Sequence, residues 1–241
     1  MRLVKRRWKR LMGITNNEIT DFSKSMKDIA IFGAGGFGRE IACLIKLINA
    51  DSKELRWNFI GFFDDNPELK GTHNEYGEML GGRDELNAWK TPIDVAIAIG
   101  NPSTLRKVKE GMSNPLVDFP NLIAPTTRFL DHDNVRMGKG NIICSNCLLS
   151  CNVTIGDFNI LNGFVPVGHD TEMGNYNVVM PSVNISGGVK MGNENFLGVQ
   201  SVVLQYVKIG NMVRLGANSV LMRNAKDGNL YMGNPATKVK L

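Results

Sequence analysis

The sequence predicts two units: a small α/β unit built on a doubly wound parallel sheet, and after it an all-β parallel helix of stacked coils. Three observations carry this. A short apolar run, Asp28–Phe32, enters a glycine-rich turn and then a helical pattern. Two further apolar runs, Phe59–Phe63 and Asp94–Ile99, also end in polar or glycine turns. From Met137 to Leu221 a large apolar residue recurs at every sixth position, fifteen times without interruption.

Composition bounds the function. The 241 residues are 43% hydrophobic and 21% charged, enough for a sizeable core and unlike a disordered chain. No apolar run reaches the ~20 residues of a membrane span. Four cysteines are too few for a disulfide scaffold, so a reduced, cytoplasmic setting is expected. The net charge of +5 sits wholly in residues 1–25, where seven basic side chains face two acidic ones. The remaining chain carries 21 of each sign. The pI near 9.0 is therefore no sign of nucleic-acid binding by the fold. The leader puts Leu3, Trp8, Leu11 and Met12 on one side of a basic helix, a pattern that can adhere to anionic membranes. It is read as a disordered extension, without membrane contact.

In the first unit, expected over 26–125, Gly33-Ala34-Gly35-Gly36-Phe37-Gly38 is a G-x-G-x-x-G turn between strand and helix. Its glycines allow close backbone approach, and the helix N-terminus offers free N–H groups to a phosphate. The helix follows from Arg39 to Ile48, with Ile41, Leu44, Ile45 and Ile48 on one face. Phe59–Phe63 runs into Asp64-Asp65. Asp94–Ile99 runs into Gly100-Asn101, with a helix from Ser103 to about Gly111. Asn121–Ala124 reads as a fourth strand. Ligands of doubly wound sheets bind at the carboxyl ends of the strands. Gly33, Gly35, Gly36, Phe37, Asp64, Asp65, Gly100 and Asn101 are therefore the expected substrate-binding residues. The unit is little more than half a full dinucleotide fold, so a single nucleotide or a nucleotide-linked sugar fits it better than NAD.

The second unit, expected over 126–241, is defined by its period. Helices repeat at 3.6 residues and strands at 2, so a period of six sustained over about 90 residues excludes both. A parallel β-helix has that period, one hexapeptide per prism face and three per coil. Five coils of 18 residues follow. Asn141, Asn159, Asn177 and Asn195 then stack in one column as an asparagine ladder. His169 is the third residue of its hexad, an outward corner position, with Cys151 one coil before it and Gly187 one coil after.

Together these features resemble the bacterial sugar acyltransferases of the left-handed β-helix class, in particular the sialic acid O-acetyltransferase family with its nucleotide-sugar 4-amino N-acetyltransferases. The marks are Gly33 to Gly38, Asp64-Asp65, Ala98-Ile99-Gly100-Asn101, Ile160-Leu161-Asn162, Gly168-His169-Asp170, Ser186-Gly187-Gly188 and Gly233-Asn234-Pro235-Ala236. The resemblance implies a homotrimer that transfers acetyl from acetyl-CoA, without a metal, to an amino or hydroxyl group of a nucleotide-linked sugar for surface glycan synthesis. It implies His169 as general base, Asp170 as its orienting acid and Asn162 nearby. It implies acetyl-CoA contacts at Val178, Gly187, Val199 and Ala217. One departure is plain: some amino-sugar acetyltransferases carry a second His nine residues after the base, where this chain has Val178.

Acyl transfer from a thioester needs a proton acceptor for the attacking amine or hydroxyl, and a neutral imidazole suits both. Backbone N–H groups around Gly187 are the expected oxyanion donors. His73 and His132 lack a periodic context and read as surface residues. Cys144, Cys147 and Cys151 have metal-like spacing, but their hexad positions send the side chains apart, so no zinc site is expected. Trp57 and Trp89 read as core or domain-surface residues. The alternatives are a non-catalytic nucleotide-sugar-binding protein, transfer to a non-sugar acceptor such as serine, and an NAD-dependent oxidoreductase.

Overall fold

The computed structural model describes residues 26–52 and 56–239. The basic leader, assigned above to 1–25, lies outside them. The first unit is a six-stranded sheet with the order β3-β4-β2-β1-β5-β6. Its elements are β1 (Lys27–Phe32), α1 (Gly36–Asp51), β2 (Trp57–Phe63), β3 (His73–Asn74), β4 (Gly77–Gly81), α2 (Arg83–Asn87), β5 (Ile93–Ile97), α3 (Pro102–Glu110) and β6 (Val117–Asp118). All pairings are parallel except the β3–β4 hairpin. Ile29–Phe32 of β1 and the whole of β5, apolar but for Asp94, are buried on both sides, which fits a parallel sheet covered by helices. Ile41, Leu44, Ile45 and Ile48 form the buried stripe of α1. Trp57 donates from its indole to the buried Asp94 at 2.8 Å, and Asp94 also pairs with Lys27.

The second unit is a prism of three parallel sheets. The first face runs through Leu122–Ile123, Ile142–Ile143, Ile160–Leu161, Val178–Val179, Phe196–Leu197 and Arg214–Leu215. The second runs from Arg128–Phe129 to Val220–Leu221, and the third from Arg136–Met137 to Lys208–Ile209. Each of these strands is two residues long and bonds the strand one coil away in parallel, and the first face closes with Leu230–Met232 and the antiparallel Thr237–Lys238. The periodic residue and the residue two before it both point inward, so Val165 and Val167 are buried while Pro166 faces out. The four ladder asparagines are 0% exposed. Each side-chain oxygen accepts from the next coil's backbone N–H, as Asn159 N–H donates to Asn141 Oδ1 at 2.8 Å.

Two expectations are corrected. Asn121–Ala124 is not a strand of the first sheet: Leu122–Ile123 pairs with Ile142–Ile143 and begins the prism. The stack accordingly begins two strands, Leu122–Ile123 and Arg128–Phe129, before the five coils expected. These strands escaped the six-residue count because Phe129 and Met137 are eight apart, with a 3-10 turn at His132–Asn134 between them. The β3–β4 hairpin, which holds His73, and α2 were also not foreseen.

The core of the α/β unit extends onto the prism, whose interior forms a second core. Ile142, Ile160 and Val178, on the outside of the first prism face, are buried with the core of the α/β unit. Arg106 of α3 pairs with Glu194 at 2.9 Å. Lys109 lies over Phe119, with its ammonium 4.8 Å from the ring centroid, and burial lowers its pKa.

Candidate active site

The corner after each second-face strand is the edge that carries His169. The hexad's fourth residue there takes a left-handed conformation, with φ of 53° at Asn152, 57° at Asp170, 68° at Gly188 and 62° at Tyr206. This turns the chain into the third face and projects the preceding residue outward. His169 is thus exposed, and its Nδ1 lies 2.7 Å from Asp170 Oδ2. A Cβ at Gly187, one coil up, would lie 2.4 Å from His169 Nε2. The absence of a side chain at Gly187 is what lets the ring lie there.

The Asp170 pKa is lowered, first by its bond to His169 and then by Asn152, whose Nδ2 donates to Oδ1 at 3.1 Å. An ionised carboxylate at Nδ1 favours the tautomer with the proton on that nitrogen, leaving the Nε2 lone pair free. The edge can therefore accept a proton at Nε2. Asn152 was missed by the sequence reading. Its only signal was its place 18 residues before Asp170.

The other expected positions divide. Gly187 shares the His169 edge, packed over Gly168. Asn162, Val199 and Ala217 follow first-face strands and stand on the adjacent edge, so one chain does not bring them to His169. Val178 is corrected: it is 1% exposed, covered by the α/β unit, and faces no ligand surface. The Gly188 N–H is committed to His169 O at 2.7 Å, which narrows the backbone donors at that step to Gly187.

At the carboxyl end of the first sheet the glycines have different tasks. Gly33 has φ of 107°, and a Cβ there would meet Ala98 O at 2.8 Å. A Cβ at Gly38 would meet Gly33 O at 1.9 Å, so both serve close packing. Gly35 and Gly100 have nothing within 4 Å, and Gly36 only the end of Arg39 at 3.9 Å. The open positions are where a ligand can approach. Phe37 packs partly buried against the core.

The polar residues at these strand ends already organise the loops. Asp64 accepts from Ala34 N–H at 2.8 Å and Asn66 N–H at 2.9 Å. Asp65 accepts from Arg83 N–H at 2.9 Å and pairs with its guanidinium at 2.8 Å. Asn101 caps α3 by accepting from Thr104 N–H at 3.1 Å. Beside Asp64 and Asp65 opens a cleft of about 620 Å³, also lined by Lys70, Gly82 and Arg83. Glu85 at its rim is held down to about 2 by Lys70 and by the Gly82 N–H. Lys70 and Arg83 were not foreseen, because isolated cations carry no periodic signal.

Burial pushes the Cys144 thiol up to about 12 and the Cys147 thiol to about 11. Among the described residues no helix is long and apolar enough to cross a membrane.

Residues 28–112 match the family model of the PglD N-terminal domain. No curated protein matches the chain. Among solved structures, the acetyltransferase domain of PglB from Neisseria gonorrhoeae in complex with acetyl coenzyme A is 25% identical, with a TM-score of 0.78, 88% of this chain and 99% of that one covered. A mutant of perosamine N-acetyltransferase from Caulobacter crescentus, in complex with CoA and GDP-perosamine, is 23% identical, with a TM-score of 0.74 and coverage of 89% and 97%. WeeI from Acinetobacter baumannii is 24% identical, with a TM-score of 0.77 and coverage of 89% and 100%. The chain thus joins a unit similar to the PglD N-terminal domain to a left-handed β-helix, the two-unit fold it shares with these structures.

Proposed function

We propose that this chain transfers an acetyl group from acetyl-CoA to an amino or hydroxyl group of a nucleotide-linked sugar. The observation that carries the reading is His169, tied through Nδ1 to an ionised Asp170 with Nε2 lying over Gly187, on the edge of a prism shared with acetyltransferases. As the acceptor attacks the thioester carbonyl, Nε2 takes its proton and the CoA thiolate leaves. The Gly187 N–H is the backbone donor for the developing oxyanion. The α/β unit holds the nucleotide at Gly35, Gly36 and Gly100 and in the cleft beside Asp64 and Asp65.

The donor site is divided between subunits of a cytoplasmic homotrimer. The outward residues of the second prism face include Leu148, Pro166, Val202 and Val220, all half-buried and apolar. The third face presents Arg136, Glu172, Lys190 and Lys208, exposed and charged. The second face is therefore the one suited to packing. Its two borders are the His169 edge and the edge with Asn162, Val199 and Ala217. Three-fold packing of that face sets one border of each prism beside the other border of the next.

The test is release of CoA thiol with a panel of nucleotide-linked amino sugars and sugar alcohols. His169→Ala should lower kcat by roughly 10²–10⁴-fold with acetyl-CoA affinity retained. Wild-type kcat in that variant, on a confirmed acceptor, would refute the reading.

A further inference from the structure

We infer that Asn152 is a positioning residue for acyl transfer, holding Asp170 so that Asp170 can hold the His169 imidazole. The inference rests on the role of His169 given above. Its geometry is a three-member chain along one prism edge: Asn152 Nδ2 to Asp170 Oδ1 at 3.1 Å, and Asp170 Oδ2 to His169 Nδ1 at 2.7 Å. The two oxygens of one carboxylate are thus divided between an amide donor and the imidazole. Without the amide, the bond to His169 alone would fix the Asp170 carboxylate, because its side chain has no third partner among the described residues.

The fold favours asparagine at 152, where φ is 53°, but does not require it. The fourth hexad position has positive φ whatever occupies it, including Phe158, Phe164, Tyr176, Glu194 and Met212. The structural asparagines behave differently. Asn141, Asn159, Asn177 and Asn195 accept from the backbone of the next coil. Asn175, Asn193 and Asn211 accept from a backbone N–H one coil below. Among the described residues the Asn152 side chain bonds no backbone atom, and its partner is Asp170.

Steady-state kinetics on the full chain, with a confirmed acceptor, test this. The titratable side chains around His169 are Asp170 beside it, Cys151 one coil below and Tyr206, which lies against Gly188 one coil above. Asn152→Ala should lower kcat by about 5–10-fold, one hydrogen bond's worth, with both KM values within about twofold and an unchanged melting temperature. Asn152→Asp, of the same shape, removes the donor and sets a second carboxylate beside Asp170. It should move the acidic limb of the kcat/KM profile to higher pH, because added negative charge favours the imidazolium. Asn152→Ser, which keeps a donor, should recover part of the rate lost in Asn152→Ala. Should Asn152→Ala not fold, the isosteric Asp variant and its pH limb decide. Wild-type kcat in Asn152→Ala and an unmoved limb in Asn152→Asp, in an enzyme that His169→Ala inactivates, would overturn this inference alone. Full activity in His169→Ala would overturn the catalytic reading as well.

Discussion

The imidazole of His169 occupies the space that any side chain at Gly187 would need: a Cβ built there falls 2.4 Å from Nε2. The two residues are 18 apart in sequence and one coil apart in the prism. Position 187 therefore sets where His169 Nε2 can lie.

Gly187→Ala should displace that ring without unfolding the prism, since Gly187 lies outside the positive-φ region that favours glycine. A shift of about 1 Å at a reacting group costs on the order of 10²-fold. The expected result is a kcat loss of that order with the melting temperature and oligomeric mass retained. A variant with wild-type kcat would show that the ring is held elsewhere.

The glycine turn should separate under mutation into packing and ligand positions. Gly38→Val forces a side chain against Gly33 O, where even a Cβ lies at 1.9 Å, and should abolish soluble folded protein. Gly36→Val faces open space and should leave stability unchanged while raising the KM of the sugar acceptor, with the acetyl-CoA KM unaffected. Paired thermal melts and kinetics check both. Equal weakening of the two substrates by Gly36→Val would place the nucleotide elsewhere.

The asparagine ladder should bear heavily on stability. Asn159 is 0% exposed and exchanges side-chain bonds with Asn141 at 3.1 Å and Asn177 at 2.9 Å. Asn159→Ala strands buried polar partners, at about 1–3 kcal/mol each. A fall of at least about 2 kcal/mol in denaturant unfolding is expected, and an unchanged midpoint would count against a structural ladder.

Thiol chemistry should sort the cysteines. Cys43 is exposed on α1, whereas burial raises Cys144 and Cys147 to about 12 and 11. The thiolate is the reactive form. Near pH 7.5, iodoacetamide followed by mass spectrometry should find Cys43 alkylated well before Cys144 and Cys147. Equal labelling would mean the prism opens readily.

Light scattering should give a mass three times 26.6 kDa. Substitution of Val202 by Glu, on the half-buried second face, should lower that mass and the activity together. A fully active monomer would exclude a site divided between subunits.

Much of this protein is legible in its residues because repetition is a one-dimensional property. A coil of 18 residues forces Asn141, Asn159, Asn177 and Asn195 into one buried column and sets Gly187 above His169, whatever surrounds the prism. The glycine turn and its helix are equally local, since Gly33 and Gly38 answer to contacts within one strand-turn-helix unit and its neighbour β5. Tertiary structure decided what periodicity does not encode. The two residues inserted between Phe129 and Met137 broke the phase, so only backbone pairing assigned Leu122–Ile123 to the prism. Val178 has the same periodic place as any outward strand residue, yet the α/β unit covers that face and removes it from solvent. Asp64, Asp65 and Asn101 read as ligand groups, but the folded loops show their oxygens bonded to backbone amides. The Asn152–Asp170–His169 chain depended on side-chain direction at a corner, where φ is positive for every residue type and sequence alone names no partner.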